Sequence, residues 1–126
     1  MINAKRCDPA EIKDIIAEVL KQQANPFGNL SLDELLNGAC FTVSDEQGQI
    51  GAYVLIGQGS ECWVQAAAGS SRMNLCDLFN ELIDKHASGF KTVAFKTYRR
   101  GLVKNAIAHG YRIAEQADGY TMRKYL

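Results

Sequence analysis

The hydrophobic pattern of this chain changes period near residue 40, and that change limits the folds open to it. Before this point apolar residues recur every three or four positions, which is typical of helices that pack on a core. From Cys40 to Ala68 three runs, CFTVS, QIGAYVLIG and ECWVQAAA, are separated by the turn-like segments DEQG and GQGS. We therefore expect three strands joined as an antiparallel meander.

Two helices are predicted before the meander. Residues 8–23 begin with Asp8 as N-cap, and Glu11 completes a capping box. Ser31 and Glu34 form the same kind of box at the start of SLDELLNG. A strand in MINAKRC is expected to precede both helices.

After the meander the pattern alternates between helix and strand. We expect a helix over 75–88, a strand over 91–98, a helix over 100–110 and a final hairpin over 112–126 that turns at Asp118-Gly119. The order (β)ααβββαβαββ predicts a single α+β domain over 1–126. In the helix over 100–110 four residues are expected to face inward: Leu102, Val103, Ala106 and Ile107.

Charge, hydropathy and cysteine spacing exclude several classes of protein. The formal net charge is zero, which argues against a nucleic-acid partner. No apolar run approaches the ~20 residues that cross a bilayer, and the N-terminus is too polar for a signal peptide, so we expect a cytoplasmic protein without a membrane partner. The cysteines form no CxxC pair, so we expect free thiols packed as small apolar residues and no metal: Cys7, Cys40, Cys62 and Cys76.

Basic residues cluster in the segment KTVAFKTYRRGLVK, which contains no acidic residue. Two interpretations are open: a solvated basic face, or a site for an anionic ligand such as phosphate. The cluster consists of Lys91, Lys96, Arg99, Arg100 and Lys104.

The stretch AAAGSSRMNLCDLF, residues 66–79, passes from a strand through a small polar turn into an amphipathic helix. Unpaired N–H groups and the positive end of the dipole make such a helix start a common anion site. The turn is therefore either a phosphate cradle or only a bend in the chain.

The order of elements resembles the GNAT superfamily of N-acetyltransferases over essentially the whole chain. The resemblance implies a mixed, mostly antiparallel sheet with helices on both faces. In that family the helix after the meander binds coenzyme A, and GLVKNAIAHGYRI looks like the family's fourth helix, with Gly110 and Tyr111 in the place of its Gly-Phe pair. The family's Gln/Arg-x-x-Gly-x-Gly/Ala signature is changed at all three positions, which carry Ser70, Met73 and Leu75 here.

The resemblance implies acetyl-CoA as cofactor and a set of contacts to it. The pantetheine arm would pair with the end of the third meander strand, and the phosphates would meet the turn and the basic residues after it. The implied residues are Gln65, Ala66, Ala67, Ala68, Ser70, Ser71, Arg72, Met73, Asn74, Arg99, Arg100 and Lys104.

The resemblance also implies an acid and a base for acetyl transfer. The family's tyrosine in the fourth helix falls on Ala106, so Tyr98 is the nearest replacement, although it could equally be a sheet-edge residue. Glu61 is the candidate base, and two interpretations of it are open. Burial would raise the pKa of its carboxyl group, as a base requires, or the side chain is solvated. Two functions follow: transfer of an acetyl group to a small-molecule or peptide amine, or an inactive binding module with a protein partner, similar to some phage-encoded accessory or virion proteins.

Overall fold

The computed structural model describes residues 2–21, 31–69, 75–97, 100–116 and 119–126. The strands are β1 (Asn3–Arg6), β2 (Ala39–Asp45), β3 (Gly48–Gln58), β4 (Glu61–Gly69), β5 (Thr92–Thr97), β6 (Arg112–Glu115) and β7 (Tyr120–Tyr125). The α-helices are α1 (Lys13–Lys21), α2 (Leu32–Leu35), α3 (Leu75–His86) and α4 (Arg100–Ala108). None of the helices in these ranges is long and apolar enough to cross a membrane.

The strands form one hydrogen-bonded sheet in the order β1-β2-β3-β4-β5-β7-β6. The β1–β2, β2–β3, β5–β7 and β6–β7 pairs are antiparallel, whereas β4 and β5 run parallel. A parallel pair needs a crossover connection, and α3 supplies it between these two strands. The predicted α+β class and the mostly antiparallel sheet are confirmed.

The described chain forms two compact units. The first unit holds β1, α1, α2, β2, most of β3 and β4 from Val64 onward. The second unit holds Glu61–Trp63 of β4, then α3, β5, α4, β6 and β7. The prediction that residues 1–126 are one domain stays a prediction.

The core of the first unit packs α1 and α2 on strand residues. Its buried members are Ile12, Ile16, Leu35, Leu36, Cys40, Ala52, Val54 and Ala66. The box at α2 is confirmed, since the Glu34 N–H donates to Ser31 Oγ at 3.2 Å and the Ser31 N–H donates to Glu34 Oε1 at 3.3 Å.

The predicted continuous helix from residue 8 is wrong in its first turn. Pro9–Glu11 is a 3-10 turn, and α1 begins only at Lys13. The Asp8 N–H still donates to Glu11 Oε2 at 2.9 Å, as the capping box requires. Gln49 Nε2 donates to the Glu11 carbonyl oxygen at 3.0 Å and to Thr42 Oγ1 at 3.0 Å, so a distant side chain satisfies the polar group at the break.

The second unit packs α3 and α4 together beside the β5–β7 ladder. Asn80 Nδ2 on α3 donates to Asn105 Oδ1 on α4 at 3.0 Å. Val103 and Ala106 are buried as predicted, but Ile107 is 52% exposed and the prediction for it is wrong. One position along an α-helix is a rotation of about 100°, which turns Ile107 away from the side that Ala106 buries.

Candidate functional site

The end of β4 extends beyond its pairing with β5. The parallel ladder joins Glu61–Trp63 to Thr92–Ala94, and among the described residues no further β5 partner follows, although β4 continues to Gly69. A strand edge without a ladder partner offers N–H and C=O groups to an extended ligand. Gln65–Ala68, the predicted pantetheine contacts, lie in this extension.

Burial alternates along the extension in the way a strand requires. Ala66 is 6% exposed and packs in the core of the first unit, while Ala67 is exposed and Gln65 and Ala68 are half-buried. The weak strand propensity of the alanines does not end β4 early. The three alanine side chains are small, as a close approach of a ligand to this backbone requires.

The predicted phosphate turn lies between β4 and α3. β4 ends at Gly69 and α3 begins at Leu75, so the strand and the helix expected on either side of this stretch are present. The predicted contacts within the turn lie outside the described residues: Ser70, Ser71, Arg72, Met73 and Asn74. Tyr98 and Arg99 lie outside them as well.

Two predicted phosphate contacts are placed on α4. Arg100 begins the helix and Lys104 follows four positions later, which puts both on one side of it. Both residues are exposed, and the first turn of α4 contains no acidic residue. This side of α4 is therefore cationic and open to an anion.

Gly110 and Tyr111, which the resemblance places at the family's Gly-Phe pair, follow the end of α4. Gly110 has a φ of +95°, which glycine adopts without strain, and the Tyr111 N–H donates to the Ala106 carbonyl oxygen at 3.0 Å. Tyr111 is 2% exposed and meets Phe95 edge-on, with ring centroids 5.2 Å apart. Burial raises the pKa of Tyr111, so this phenol stays protonated.

Glu61 is held in an ion pair with Arg123, a residue that no pattern in the sequence indicates. Arg123 donates from Nε to Glu61 Oε2 at 2.6 Å and from Nη2 to Oε1 at 3.1 Å, and Thr92 Oγ1 donates to Oε2 at 2.9 Å. These hydrogen bonds, that from Arg123 foremost, lower the pKa of Glu61 despite its partial burial. The expected rise in pKa is therefore wrong, because a guanidinium and a hydroxyl stabilise the charged form.

A second ion pair joins α3 to β7. Lys124 Nζ is hydrogen bonded to Asp84 Oδ2 and lies 5.0 Å from the centroid of the Tyr111 ring. Asp84 Oδ1 is buried and takes no hydrogen bond from the residues that the structure describes. Local sequence patterns contain no sign of this pair, because it joins residues 40 positions apart.

Two other features bear on the chemistry available. Within the ranges described, no three His, Cys, Asp or Glu side chains are grouped so as to hold a metal ion. Ala106 is 2% exposed, so the helix position that carries a tyrosine in many members of the resembled family holds a buried methyl group here.

Comparison with solved structures identifies the fold. The chain superposes on an IAA acetyltransferase from Bacillus cereus with a TM-score of 0.74 and 12% identity, covering 100% of both chains. It matches a GNAT family acetyltransferase from Elizabethkingia anophelis, solved with acetyl-CoA bound, with a TM-score of 0.73 and 16% identity over 99% of this chain and 98% of that one. It matches an aminoglycoside 6'-N-acetyltransferase from Enterococcus faecium with a TM-score of 0.69 and 14% identity over 99% and 96%.

Sequence comparisons add no closer relative. No protein-family model matches the chain, and no curated protein matches it. The resemblance seen in the order of elements is confirmed by the three-dimensional match. The chain has the fold of the GNAT-family acetyltransferases.

Proposed function

We propose that the protein is an N-acyltransferase that moves an acetyl group from acetyl-CoA to an amine. The observation that carries the proposal is the extension of β4, the strand that precedes α3 in the chain, beyond its β5 ladder. The same fold in an acetyltransferase solved with acetyl-CoA supports the choice of cofactor.

The proposed cofactor contacts come from each unit separately. In the first unit the backbone of Gln65–Ala68 pairs with the amides of the pantetheine arm, because an extended chain with alternating N–H and C=O groups matches a free strand edge. In the second unit Arg100 and Lys104 meet phosphate groups from the exposed side of α4. Ser70–Asn74 and Arg99 complete the proposed set, with Arg72 as the direct contact to the pyrophosphate.

Acetyl transfer from a thioester to an amine requires the protein mainly to position the two reactants and to transfer protons. The amine nitrogen forms a bond to the acetyl carbon, the carbon–sulfur bond breaks, and the departing thiolate takes a proton, for which Tyr98 is the proposed donor. The proton that the nitrogen loses as the amide forms restores the phenol of Tyr98. Glu61 is a weak base, since its pKa is lowered by Arg123. We therefore propose that the acceptor amine reacts after losing its proton to solvent, so that the rate rises with pH until the amine is fully neutral.

A thiol-release assay tests the activity. Acetyl-CoA is incubated with the protein and a panel of small-molecule and peptide amines, and free CoA is followed against pH. Tyr98→Phe is expected to lower kcat by about 10²-fold, the effect of losing a general acid, while Tyr120→Phe on β7 serves as the matched control. Binding of acetyl-CoA without release of CoA with any amine would contradict the proposal.

A second function is favoured by three positions at which this chain departs from the resembled family. The methyl group of Ala106 is buried at the position expected for a catalytic tyrosine, and two glycine positions of the phosphate turn hold Met73 and Leu75. A chain that kept the fold after losing catalysis would bind a protein partner instead, as an accessory protein of a phage would. Binding of acetyl-CoA to Met73→Gly but not to the native protein would support this second function.

A further inference from the structure

Two cysteines of the first unit lie directly opposite each other across neighbouring strands. The β1–β2 register pairs Arg6 with Phe41, and the next pair in the same register is Cys7 with Cys40. The Cys7 N–H donates to the Cys40 carbonyl oxygen at 3.0 Å, so the pairing continues past the end of β1. Residues directly opposite in an antiparallel ladder point to the same face of the sheet.

The packing of the two side chains agrees with the register. Cys40 is 1% exposed and belongs to the core of the first unit, and the half-buried Cys7 packs against that same core. The Cys40 thiol donates to the Leu36 carbonyl oxygen at 3.4 Å. Both thiols are free in the structure.

We propose that Cys7 and Cys40 are a redox-sensitive pair, which a disulfide oxidant converts into a cross-strand disulfide. Directly opposite residues of an antiparallel ladder have Cα atoms about 4.5–5.5 Å apart, within the roughly 4.4–6.8 Å that a disulfide spans. Their Cβ atoms are about 4.5–5.5 Å apart and must close by about 1 Å to reach the roughly 3.5–4.5 Å of a disulfide. Cys7 lies one residue beyond the end of β1, which is the edge strand of the sheet. Movement at the end of this strand would therefore bring the two sulfur atoms together. The proposal does not depend on acetyltransferase activity.

The reaction is a thiol–disulfide exchange with a small disulfide such as oxidised glutathione. The more accessible Cys7 thiolate attacks a glutathione sulfur and expels one glutathione thiolate; the Cys40 thiolate then attacks the Cys7 sulfur and expels the second. Two protein thiols are oxidised and one small disulfide is reduced to two glutathione thiols, whose sulfur atoms take up the two protons that the cysteines lose. The bond closes the segment from Cys7 to Cys40, which contains α1 and α2, into a loop.

The surroundings of the two thiols set the conditions for the reaction. Burial raises the pKa of both; Glu11, Cys40 and Asp8 raise that of Cys7 further, and Arg6 opposes the rise for each thiol. Few thiolates are present at neutral pH, so the exchange is slow there and faster in alkali. Oxidation at about pH 8.5 is therefore the practical test.

The experiment treats the full chain with oxidised glutathione, blocks free thiols and maps the cysteine peptides by mass spectrometry. We expect a Cys7–Cys40 peptide that has lost two hydrogens, and a Tm about 5 °C or more higher that dithiothreitol reverses. Cys7→Ser and Cys40→Ala should abolish both effects, while Cys62→Ser, which removes a buried thiol of the second unit, should keep them. Three results would overturn the proposal. Cys7 could stay free or keep glutathione, it could form a bridge to a cysteine other than Cys40, or the Cys7–Cys40 bridge could form without a rise in Tm.

Discussion

Arg123 on β7 reaches across β5 to hold the carboxylate of Glu61 on β4 with two hydrogen bonds, at 2.6 Å and 3.1 Å. Thr92 on the intervening strand donates to the same carboxylate at 2.9 Å. Three strands of the second unit are therefore joined by one side chain. Glu61 is 19% exposed and Arg123 is 35% exposed, so water screens the pair only in part.

Glu61→Gln should lower the free energy of unfolding at pH 7 by about 1 kcal/mol, because the amide offers Arg123 and Thr92 a weaker acceptor than a carboxylate. Urea unfolding measures the change. Glu115→Gln, which removes the same charge from an exposed side chain on β6, is the control and should change stability by only a few tenths of a kcal/mol. Equal effects of the two substitutions would contradict the structural role of the Glu61–Arg123 pair.

The stabilising effect of Glu61 should depend on pH in one direction. Its pKa in the folded protein is below the ordinary value of 4.5, so the folded state binds this proton less readily than the unfolded state. The stabilisation is complete above the ordinary pKa and is lost as the pH falls through the folded pKa. The difference in stability between the native protein and Glu61→Gln should therefore shrink below about pH 4.5, and a difference that grew on acidification would contradict the assignment.

Glu61 should not act as the proton acceptor in catalysis if the protein is the proposed enzyme. A general base contributes about 10²–10⁴-fold to the rate, so its loss would be plain in kcat. We expect Glu61→Gln to keep the rise of the rate with pH and to lower kcat by less than about tenfold, with thiol release as the measurement. A fall of 10²-fold or more, with the pH dependence abolished, would restore Glu61 as the base.

The ion pair between Asp84 and Lys124 should be coupled in a double-mutant cycle. Lys124 is only 12% exposed, so Asp84→Asn leaves a cation nearly buried without its partner and should cost about 2 kcal/mol. Lys124→Met leaves the carboxylate of Asp84 unpaired, but this side chain is 35% exposed to water, so the substitution should cost less. In Asp84→Asn/Lys124→Met no unpaired charge remains, so we expect it to be more stable than the sum of the single effects, and simple additivity in chemical denaturation would contradict the coupling.

Gly110 should not tolerate a side chain. A Cβ there would lie 3.2 Å from Lys124 Cδ on a backbone with a φ of +95°, so Gly110→Ala should cost about 1–2 kcal/mol. Gly101→Ala is the matched control, since nothing lies within 4 Å of its Cβ and it is inside α4, where alanine should stabilise by about 0.5 kcal/mol. Thermal unfolding should move in opposite directions for the two variants, and a shift in the same direction would contradict a glycine requirement at the end of α4.

The sequence predicted the elements that depend on local signals. Capping boxes at Asp8 and Ser31, and the short turns after β2 and β3, are local patterns, and the structure contains an element at each. The break before α1 was not predicted, and the Glu11 carbonyl oxygen at the break accepts a hydrogen bond from Gln49, a residue 38 positions away in the chain. Long-range hydrogen bonds of this kind leave no periodic trace in a sequence.

In the candidate site, too, residues placed by local patterns were predicted and residues brought together by long-range contacts were not. Gln65–Ala68, Arg100 and Lys104 lie on the elements expected for them, because strand and helix patterns placed those elements. The partner of Glu61 was not predicted, since Arg123 follows it by 62 positions and only the sheet order brings them together. The roles proposed for the turn before α3 and for Tyr98 stay predictions.

Calorimetric titration of acetyl-CoA into the native protein tests the central proposal most directly, with Lys104→Ala and the exposed Lys91→Ala as a matched pair. We expect saturable binding in the micromolar range that is weakened roughly tenfold in Lys104→Ala and unchanged in Lys91→Ala, because a phosphate contact is worth about 1.4 kcal/mol. Absence of binding to the native protein, or equal weakening in both variants, would contradict a cofactor site on this fold.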